Sequence, residues 1–247
     1  MNDSTSATLP VWPTRWPKNS FTGVGTWLLA VAVAVLFVFL PFIAGLKTSR
    51  VPAVTPFELD ALIVAQTVLE GLLVLIVLLA LPRLSKFSLR ELGFRRPNTS
   101  AIGIALVGAL AMVIVANGGA SLIDYLAHSE HQQDIVQIFK DLHDRTTIAI
   151  FAGFAVIFAP FAEETIFRVF FFNLGLRYAG FWGGAVLSGV LFGMAHGDLY
   201  AALPLALGGI VLCAVYYRTR NAYTSMVSHA LFNALSIVLL LALPKVT

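Results

Sequence analysis

Long runs of apolar residues, separated by short polar segments, follow one another along almost the whole chain. Several runs reach the ~20 residues that a helix needs to cross a ~30 Å hydrocarbon core, and none alternates apolar and polar residues as barrel strands do. A polar helix is predicted outside the bilayer at about residues 130–144. The pattern predicts seven helical spans, at residues 23–45, 59–82, 101–127, 147–178, 182–197, 200–217 and 221–243.

The composition assigns these runs to a membrane. Hydrophobic residues make up 58% of the 247 residues, charged residues make up 12%, and the mean hydropathy is +0.86. These values lie well outside the range of ordinary soluble domains. The predicted fold class is all-α, a polytopic transmembrane bundle of about seven to eight helices. Residues 1–22 are predicted as a cytoplasmic amino-terminal segment and residues 23–247 as a single membrane domain.

The distribution of basic residues predicts the orientation. With the amino terminus on the cytoplasmic side, ten of the sixteen Lys and Arg residues fall in inner segments, five fall in outer segments and Arg168 lies within a span. This bias has the sign that the positive-inside rule requires. The basic loop at 83–97 predicts contacts with anionic lipid headgroups, and no nucleic-acid partner is expected.

Ionisable side chains inside predicted spans need an explanation, because each costs at least ~2.5 to 3.5 kcal/mol near the bilayer centre on insertion scales. Such residues are hypotheses for a functional site. The ionisable residues are Glu163, Glu164, Arg168, His196 and His229, and the polar Asn233 is considered with them. Counted from the predicted helix ends at ~1.5 Å per residue, the glutamates, histidines and asparagine lie ~12 to 22 Å deep, on three helices. Their overlapping depth predicts that they converge.

The spacing within "EETIFR", at 163–168, separates the two glutamates. Glu164 and Arg168 are four residues apart and share one helix face, so they predict an ion pair. Glu163 is rotated by about 100° from Glu164, which leaves it without a local partner and available for chemistry. Glu70 is also deep; its predicted role is accessory, as a second partner for Arg168 or as a proton-handling group.

These residue types favour hydrolysis. A glutamate and a histidine in a cavity of low dielectric can polarise a water molecule for attack, with the carboxylate as general base. His229 and Asn233 are one turn apart and can donate hydrogen bonds to a developing oxyanion. The alternative is a divalent metal such as zinc held by Glu163, His196 and His229. The residues alone leave both mechanisms open.

Three short motifs on successive helices carry a family resemblance. They read "EETIFR" at 163–168, "FGMAH" at 192–196 and "HALFN" at 229–233. In this order they resemble the CPBP intramembrane proteases, also called the type II CAAX prenyl endopeptidase or abortive-infection family. The resemblance covers about residues 85–243 and implies a protease core there, in a multi-pass protein of the bacterial plasma membrane.

The resemblance also implies a role for each motif residue. By analogy, Glu163 activates the attacking water with His196, and the oxyanion site is formed by His229 and Asn233. The supporting residues are Glu164, Arg168 and Phe192. The family has been described both as metalloproteases and as glutamate-dependent enzymes, so the resemblance leaves open whether a metal ion takes part in the reaction.

The expected partner is a peptide or a membrane-protein substrate. Eukaryotic relatives trim prenylated CAAX proteins, and bacterial relatives are often linked to peptide maturation or bacteriocin immunity. Two other functions stay open: a non-catalytic membrane scaffold or immunity protein, and an ion-coupled transporter built around Glu70, Glu163 and Arg168. The retained motif residues count against the scaffold, and the lack of an inverted repeat counts against the transporter.

Overall fold

The computed structural model describes residues 16–47, 55–128 and 144–242, and these ranges contain helices and no strand. The first helix, α1, joins Val24–Ala34 to Leu40–Lys47 through a π-helical stretch, Val35–Phe39. The others are α2 (Pro56–Ser85), α3 (Thr99–Ala127), α4 (145–179), α5 (181–195), α6 (Leu199–Thr219) and α7 (Ala222–Ala242).

The seven predicted spans correspond one to one with these helices, and their ends differ by a few residues. The largest differences are in α2, which begins earlier than predicted because Thr55 caps it. The Thr55 hydroxyl accepts the Glu58 backbone N–H at 3.3 Å, and the Glu58 carboxylate accepts the Thr55 N–H at 2.9 Å. The polar helix predicted at 130–144 lies outside the described residues except for Asp144, as do residues 1–15 of the amino-terminal segment.

The outer surfaces of the helices are apolar, as a lipid environment requires. On α2, for example, Leu72, Leu75, Ile76 and Leu79 are each at least half exposed. Six helical stretches are long and apolar enough to cross a membrane, with α4 and α5 counted as one stretch, Arg145–Ala195. The fold is therefore a multi-pass helical bundle of an integral membrane protein.

A sharp break at Gly180 turns the chain back, so that α5 runs antiparallel to α4. Gly180 has φ 68° and ψ −170°, a backbone conformation that only glycine adopts readily. The two helices then meet at Gly175 and Gly184, where a Cβ on Gly175 would lie 2.6 Å from the Gly184 Cα. Further along, the Ser188 hydroxyl donates to the Phe167 carbonyl at 2.8 Å. This register brings the end of α5 to the level of the glutamate pair on α4.

Glycines also let α6 pack closely against α5. A Cβ on Gly189 would lie 2.7 Å from the Ala206 carbonyl oxygen, and a Cβ on Gly209 would lie 2.9 Å from the Gly189 Cα. Small residues at such crossings are how helices in lipid gain close van der Waals contact. The α5–α6 pair is therefore a rigid wall beside the polar residues of α4.

The tightest of these positions predicts a stability effect. A Cβ on Gly193 would collide with the Ala202 backbone carbonyl, so Gly193→Ala is expected to cost ~1 to 3 kcal/mol through overpacking. The measurement is the apparent melting temperature of the purified protein in detergent. Gly103→Ala on α3 is the matched control, because nothing lies within 4 Å of a Cβ there. Equal melting temperatures for the two variants would contradict the close contact.

The opposite end of the bundle is held by a chain of hydrogen bonds. The Asn173 side-chain amide donates to the Tyr216 hydroxyl at 2.8 Å, and that hydroxyl donates to the Leu92 carbonyl at 2.6 Å. The Ala222 backbone N–H donates to the Gly93 carbonyl at 3.0 Å. These bonds link α4, α6 and α7 to the basic loop between α2 and α3, which fixes the helices that carry the motif residues.

Candidate active site

The glutamate pair lies where α4 departs from regular helix. Phe154–Phe158 and Glu164–Phe172 are π-helical, and the short α-helical turn Ala159–Glu163 separates them. All nine residues of Glu164–Phe172 are buried. A π-helical turn widens the helix and changes which side chains face one another, and such turns are frequent at functional sites. The directions in which the motif residues of α4 point thus depend on the side chains that pack around this buried stretch.

Glu164 and Arg168 form the ion pair that their spacing predicts. The Glu164 Oε1 lies 3.1 Å from an Arg168 terminal nitrogen, and both side chains are fully buried. Arg168 also donates to the Gly209 carbonyl on α6 at 3.2 Å, and its guanidinium carbon lies 4.5 Å from the centre of the Phe192 ring. The arginine therefore neutralises Glu164 and ties α4 to both α5 and α6.

His229 lies beside both glutamates, a contact that the helical spacing did not predict. Its Nδ1 is 3.1 Å from the Glu164 Oε1, and its Nε2 is 3.7 Å from the Glu163 Oε2. The histidine is 3% exposed and Glu163 is 15% exposed. The three side chains, together with Arg168, make one charged cluster between α4 and α7.

Asn233 lies one turn after His229 and is oriented by the backbone of α4. Its side-chain N–H donates to the Ala155 carbonyl at 2.8 Å, within the first π-helical stretch. An asparagine amide carries two N–H donors, so one donor remains for another group. The oxyanion role of His229 and Asn233 stays a prediction, since both residues contact protein groups in this structure.

His196 ends α5 and is exposed. Its Nδ1 lies 2.9 Å from the Phe192 carbonyl, which can only accept, so Nδ1 carries the hydrogen and Nε2 is left as an acceptor. The Phe192 ring contacts both histidines, with its centre 4.9 Å from the His196 ring and 5.5 Å from the His229 ring. No hydrogen bond or ion pair joins His196 to Glu163 among the described residues.

The predicted zinc set does not fit this arrangement. Within residues 16–47, 55–128 and 144–242, no group of three or more His, Cys, Asp or Glu side chains is arranged to hold a metal ion. Both ring nitrogens of His229 face carboxylates, and the Nδ1 of His196 faces the Phe192 carbonyl.

Glu70 is close to the cluster, on α2. Its side chain is 6% exposed, and its Oε1 accepts a hydrogen bond from the Gln66 amide at 2.7 Å. Among the described residues Glu70 makes no ion pair with Arg168, so its predicted role as a second partner of that arginine is not observed.

Comparison with known proteins identifies the region that contains the motifs. The family model described as "Type II CAAX prenyl endopeptidase Rce1-like" matches residues 145–235. This range begins at the start of α4 and ends within α7, so it includes all three motifs. It is narrower than residues 85–243, the range over which the motifs indicated a resemblance. No solved structure gave a significant match.

Three curated bacterial proteins are similar to the chain. Membrane peptidase YdiL of Bacillus subtilis is 25% identical over 66% of this chain and 66% of its own length. UPF0177 protein YvdC of Lactococcus lactis is 32% identical over 60% of this chain and 54% of its own length. Membrane-embedded CAAX protease MroQ of Staphylococcus aureus is 25% identical over 88% of this chain and 90% of its own length.

These matches agree with the motifs and with the helices on which the motifs lie. Two of the three relatives are named as peptidases of membranes, which supports a membrane peptidase. The charged cluster of Glu163, Glu164, Arg168 and His229 falls entirely within the range that the family model matches. Residues 145–235 of this chain are therefore similar to the Rce1-like domain of type II CAAX prenyl endopeptidases.

Proposed function

We propose that this protein is an intramembrane peptidase in which Glu163 activates the attacking water. The observation that carries the proposal is the difference between two adjacent glutamates. Glu164 is fully buried and paired with Arg168, while Glu163 is 15% exposed and its Oε2 lies 3.7 Å from His229. Such a carboxylate has a lone pair with which to take a proton from water.

The proposed reaction uses the atoms that the site leaves available. Water gives one proton to Glu163 while its oxygen bonds to the carbonyl carbon of the scissile peptide. The remaining N–H of Asn233 donates to the carbonyl oxygen as that oxygen becomes negative. The proton on Glu163 then passes to the leaving amine as the C–N bond breaks. In this scheme His196 orients the water through its Nε2, and His229 lies beside Glu163, with its Nε2 3.7 Å from the Glu163 Oε2.

The proposed substrate is a peptide or a membrane protein cut near a lipidated residue. The support is the description of the matching family model as a prenyl endopeptidase, together with the name of MroQ as a CAAX protease. A site at mid-helix depth also suits a substrate held in the bilayer by a lipid chain. Membrane peptides without a lipid chain are the alternative substrate class, because bacterial relatives in the family are expected to process them.

The proposed location is the plasma membrane of a bacterium, with the amino terminus in the cytoplasm. All three similar curated proteins are bacterial. The basic loop between α2 and α3 carries exposed Lys86 and Arg90 at one end of the bundle. Each such residue near an anionic surface contributes ~1 kcal/mol of attraction, so we propose that this loop binds anionic headgroups on the cytoplasmic side.

The test is an assay of the purified protein against a panel of peptides, each in a farnesylated and an unmodified form. Wild-type protein is expected to cleave either the farnesylated or the unmodified peptides. His196→Asn is expected to lower kcat by ~10²-fold, because the water loses the acceptor that orients it. His128→Asn is the matched control, since His128 is exposed at the end of α3.

The competing functions give different results in the same preparation. A folded wild-type protein that cleaves nothing in the panel contradicts the proposal and supports a scaffold or immunity protein. Ion flux through liposomes that contain the protein, without cleavage, supports the transporter. Cleavage with an unchanged rate in His196→Asn removes His196 from the mechanism and leaves the peptidase assignment in place.

A further inference from the structure

Pro160 is a proline in the interior of α4 that the proposed mechanism does not use. It is buried between the π-helical stretch Phe154–Phe158 and the glutamate pair. Proline has no backbone N–H, so a proline inside a helix leaves one earlier carbonyl without its helical donor. Water does not satisfy such a carbonyl within a bilayer, and an unsatisfied backbone group is costly there. The carbonyl that Pro160 frees must therefore accept from another part of the protein.

The carbonyl that loses its helical donor is that of Ala155. In a π-helical turn each carbonyl accepts from the N–H five residues later. The Ala159 N–H follows this pattern and donates to the Phe154 carbonyl. The next carbonyl, that of Ala155, would pair in the same pattern with the N–H of residue 160, and residue 160 is the proline. The Ala155 carbonyl is therefore left for a donor on another helix.

Asn233 on α7 supplies that donor. Its Nδ2 lies 2.8 Å from the Ala155 carbonyl oxygen, and the two residues are 78 positions apart in the chain. A carbonyl can only accept, so the side-chain amide is held with its nitrogen, and not its oxygen, toward α4. Because the amide group is planar, holding one N–H also fixes the direction of the second N–H. That second N–H is the donor that the proposed reaction directs to the developing oxyanion.

We propose that Pro160 is a positioning residue of the reaction: because it lacks an N–H, it leaves the Ala155 carbonyl to Asn233 and so directs the second Asn233 N–H toward the substrate. The proline touches no reacting atom and acts through the Asn233 amide. Pro160→Ala supplies an N–H that competes with Asn233 for the Ala155 carbonyl. The amide is then free to rotate, and its second N–H no longer points at the oxyanion. This inference rests on the proposed peptidase function.

The test measures kcat, KM and the melting temperature of Pro160→Ala, with a peptide that wild-type protein cleaves. We expect kcat to fall by about 10- to 10²-fold, because a small misplacement of a reacting group can cost up to the larger factor. KM is expected to stay near the wild-type value, since the oxyanion bond strengthens in the transition state. The melting temperature is expected not to fall, because alanine favours a helix more than proline does. Pro82→Ala, inside α2, is the matched control and is expected to keep the wild-type kcat.

A double variant shows whether Pro160 acts through Asn233. Asn233→Ala alone is expected to lower kcat by about 10²- to 10³-fold, the cost of removing one oxyanion donor. Adding Pro160→Ala to this variant is expected to lower kcat no further, because the amide that Pro160 orients is already gone. The same fold-loss from Pro160→Ala in both backgrounds would overturn the inference.

The melting temperature separates positioning from a purely structural role. A fall in kcat that comes with a lower melting temperature would show that the proline supports the fold, and it overturns the inference. If Pro160→Ala does not fold, Pro160→Gly decides by the same measurements, because glycine also supplies an N–H; failure of both to fold overturns the inference. A wild-type protein that cleaves no peptide overturns the proposed function and the inference together, whereas cleavage with a wild-type kcat in Pro160→Ala overturns the inference alone.

Discussion

Glu163→Gln is expected to lower kcat for peptide cleavage by about 10²- to 10⁴-fold, the share that a general base contributes. Glutamine keeps the shape of the side chain, but its neutral amide cannot take a proton from water. The fold is expected to survive, because Glu163 lies at the edge of the cluster, 3.7 Å from His229, and the buried Glu164–Arg168 pair stays intact. The measurement is kcat and KM of purified protein in detergent.

The control for this variant is another glutamate changed in the same way. Glu91 is exposed in the loop between α2 and α3, where Ser88 donates to its carboxylate at 2.7 Å. Glu91→Gln is expected to keep the wild-type rate, since glutamine also accepts this bond. Equal rates for Glu163→Gln and Glu91→Gln would remove Glu163 from the role of base.

Arg168→Met is expected to destabilise the protein by ~3 to 5 kcal/mol, the cost of leaving a buried charge without its partner. Methionine fills much of the same space, so the loss is electrostatic. Glu164 would keep only His229 beside it, at full burial. The contact of the guanidinium with Phe192 and its hydrogen bond to Gly209 would also be lost. The apparent melting temperature in detergent reports the change.

A double variant separates charge from packing. Glu164→Gln combined with Arg168→Met removes both charges and is expected to recover a large part of the lost stability, because no ionised group is left unpaired. Arg90→Met is the matched control: Arg90 is exposed, so its loss is expected to change stability by less than ~1 kcal/mol. A double variant no more stable than Arg168→Met would show that Arg168 acts through packing.

Local patterns predicted the helices well, because each helix that crosses a membrane needs a long run of apolar residues. A span needs ~20 apolar residues, so the apolar runs locate α2 and α7 to within a few residues. The ends are set by different interactions, such as the Thr55 and Glu58 cap of α2, and these are weaker signals. The two π-helical stretches of α4 were not predicted, since an i to i+5 pattern depends on what packs around the helix.

The contacts of the candidate site also divide into those that local spacing predicted and those that depend on how the helices pack. The Glu164–Arg168 pair is local to one helix, so a spacing of four residues predicted it. The contacts of His229 with both glutamates join residues 65 and 66 positions apart and depend on how α7 packs on α4. Likewise, depth showed that Glu70 needed an explanation, and the structure buries it on α2 with a hydrogen bond from Gln66.

By itself, the sequence determined the membrane class, the order of the helices, the residues able to do chemistry and the family motifs. These features follow from composition and from spacing along one helix, which do not depend on distant contacts. The tertiary structure decided which of those residues meet. It placed His229 between two carboxylates and brought both histidines against Phe192, and the alternative zinc set does not form among the described residues. The physical reason is that helix crossings in lipid are set by close packing, here at glycines such as Gly189 and Gly209, and not by any local pattern.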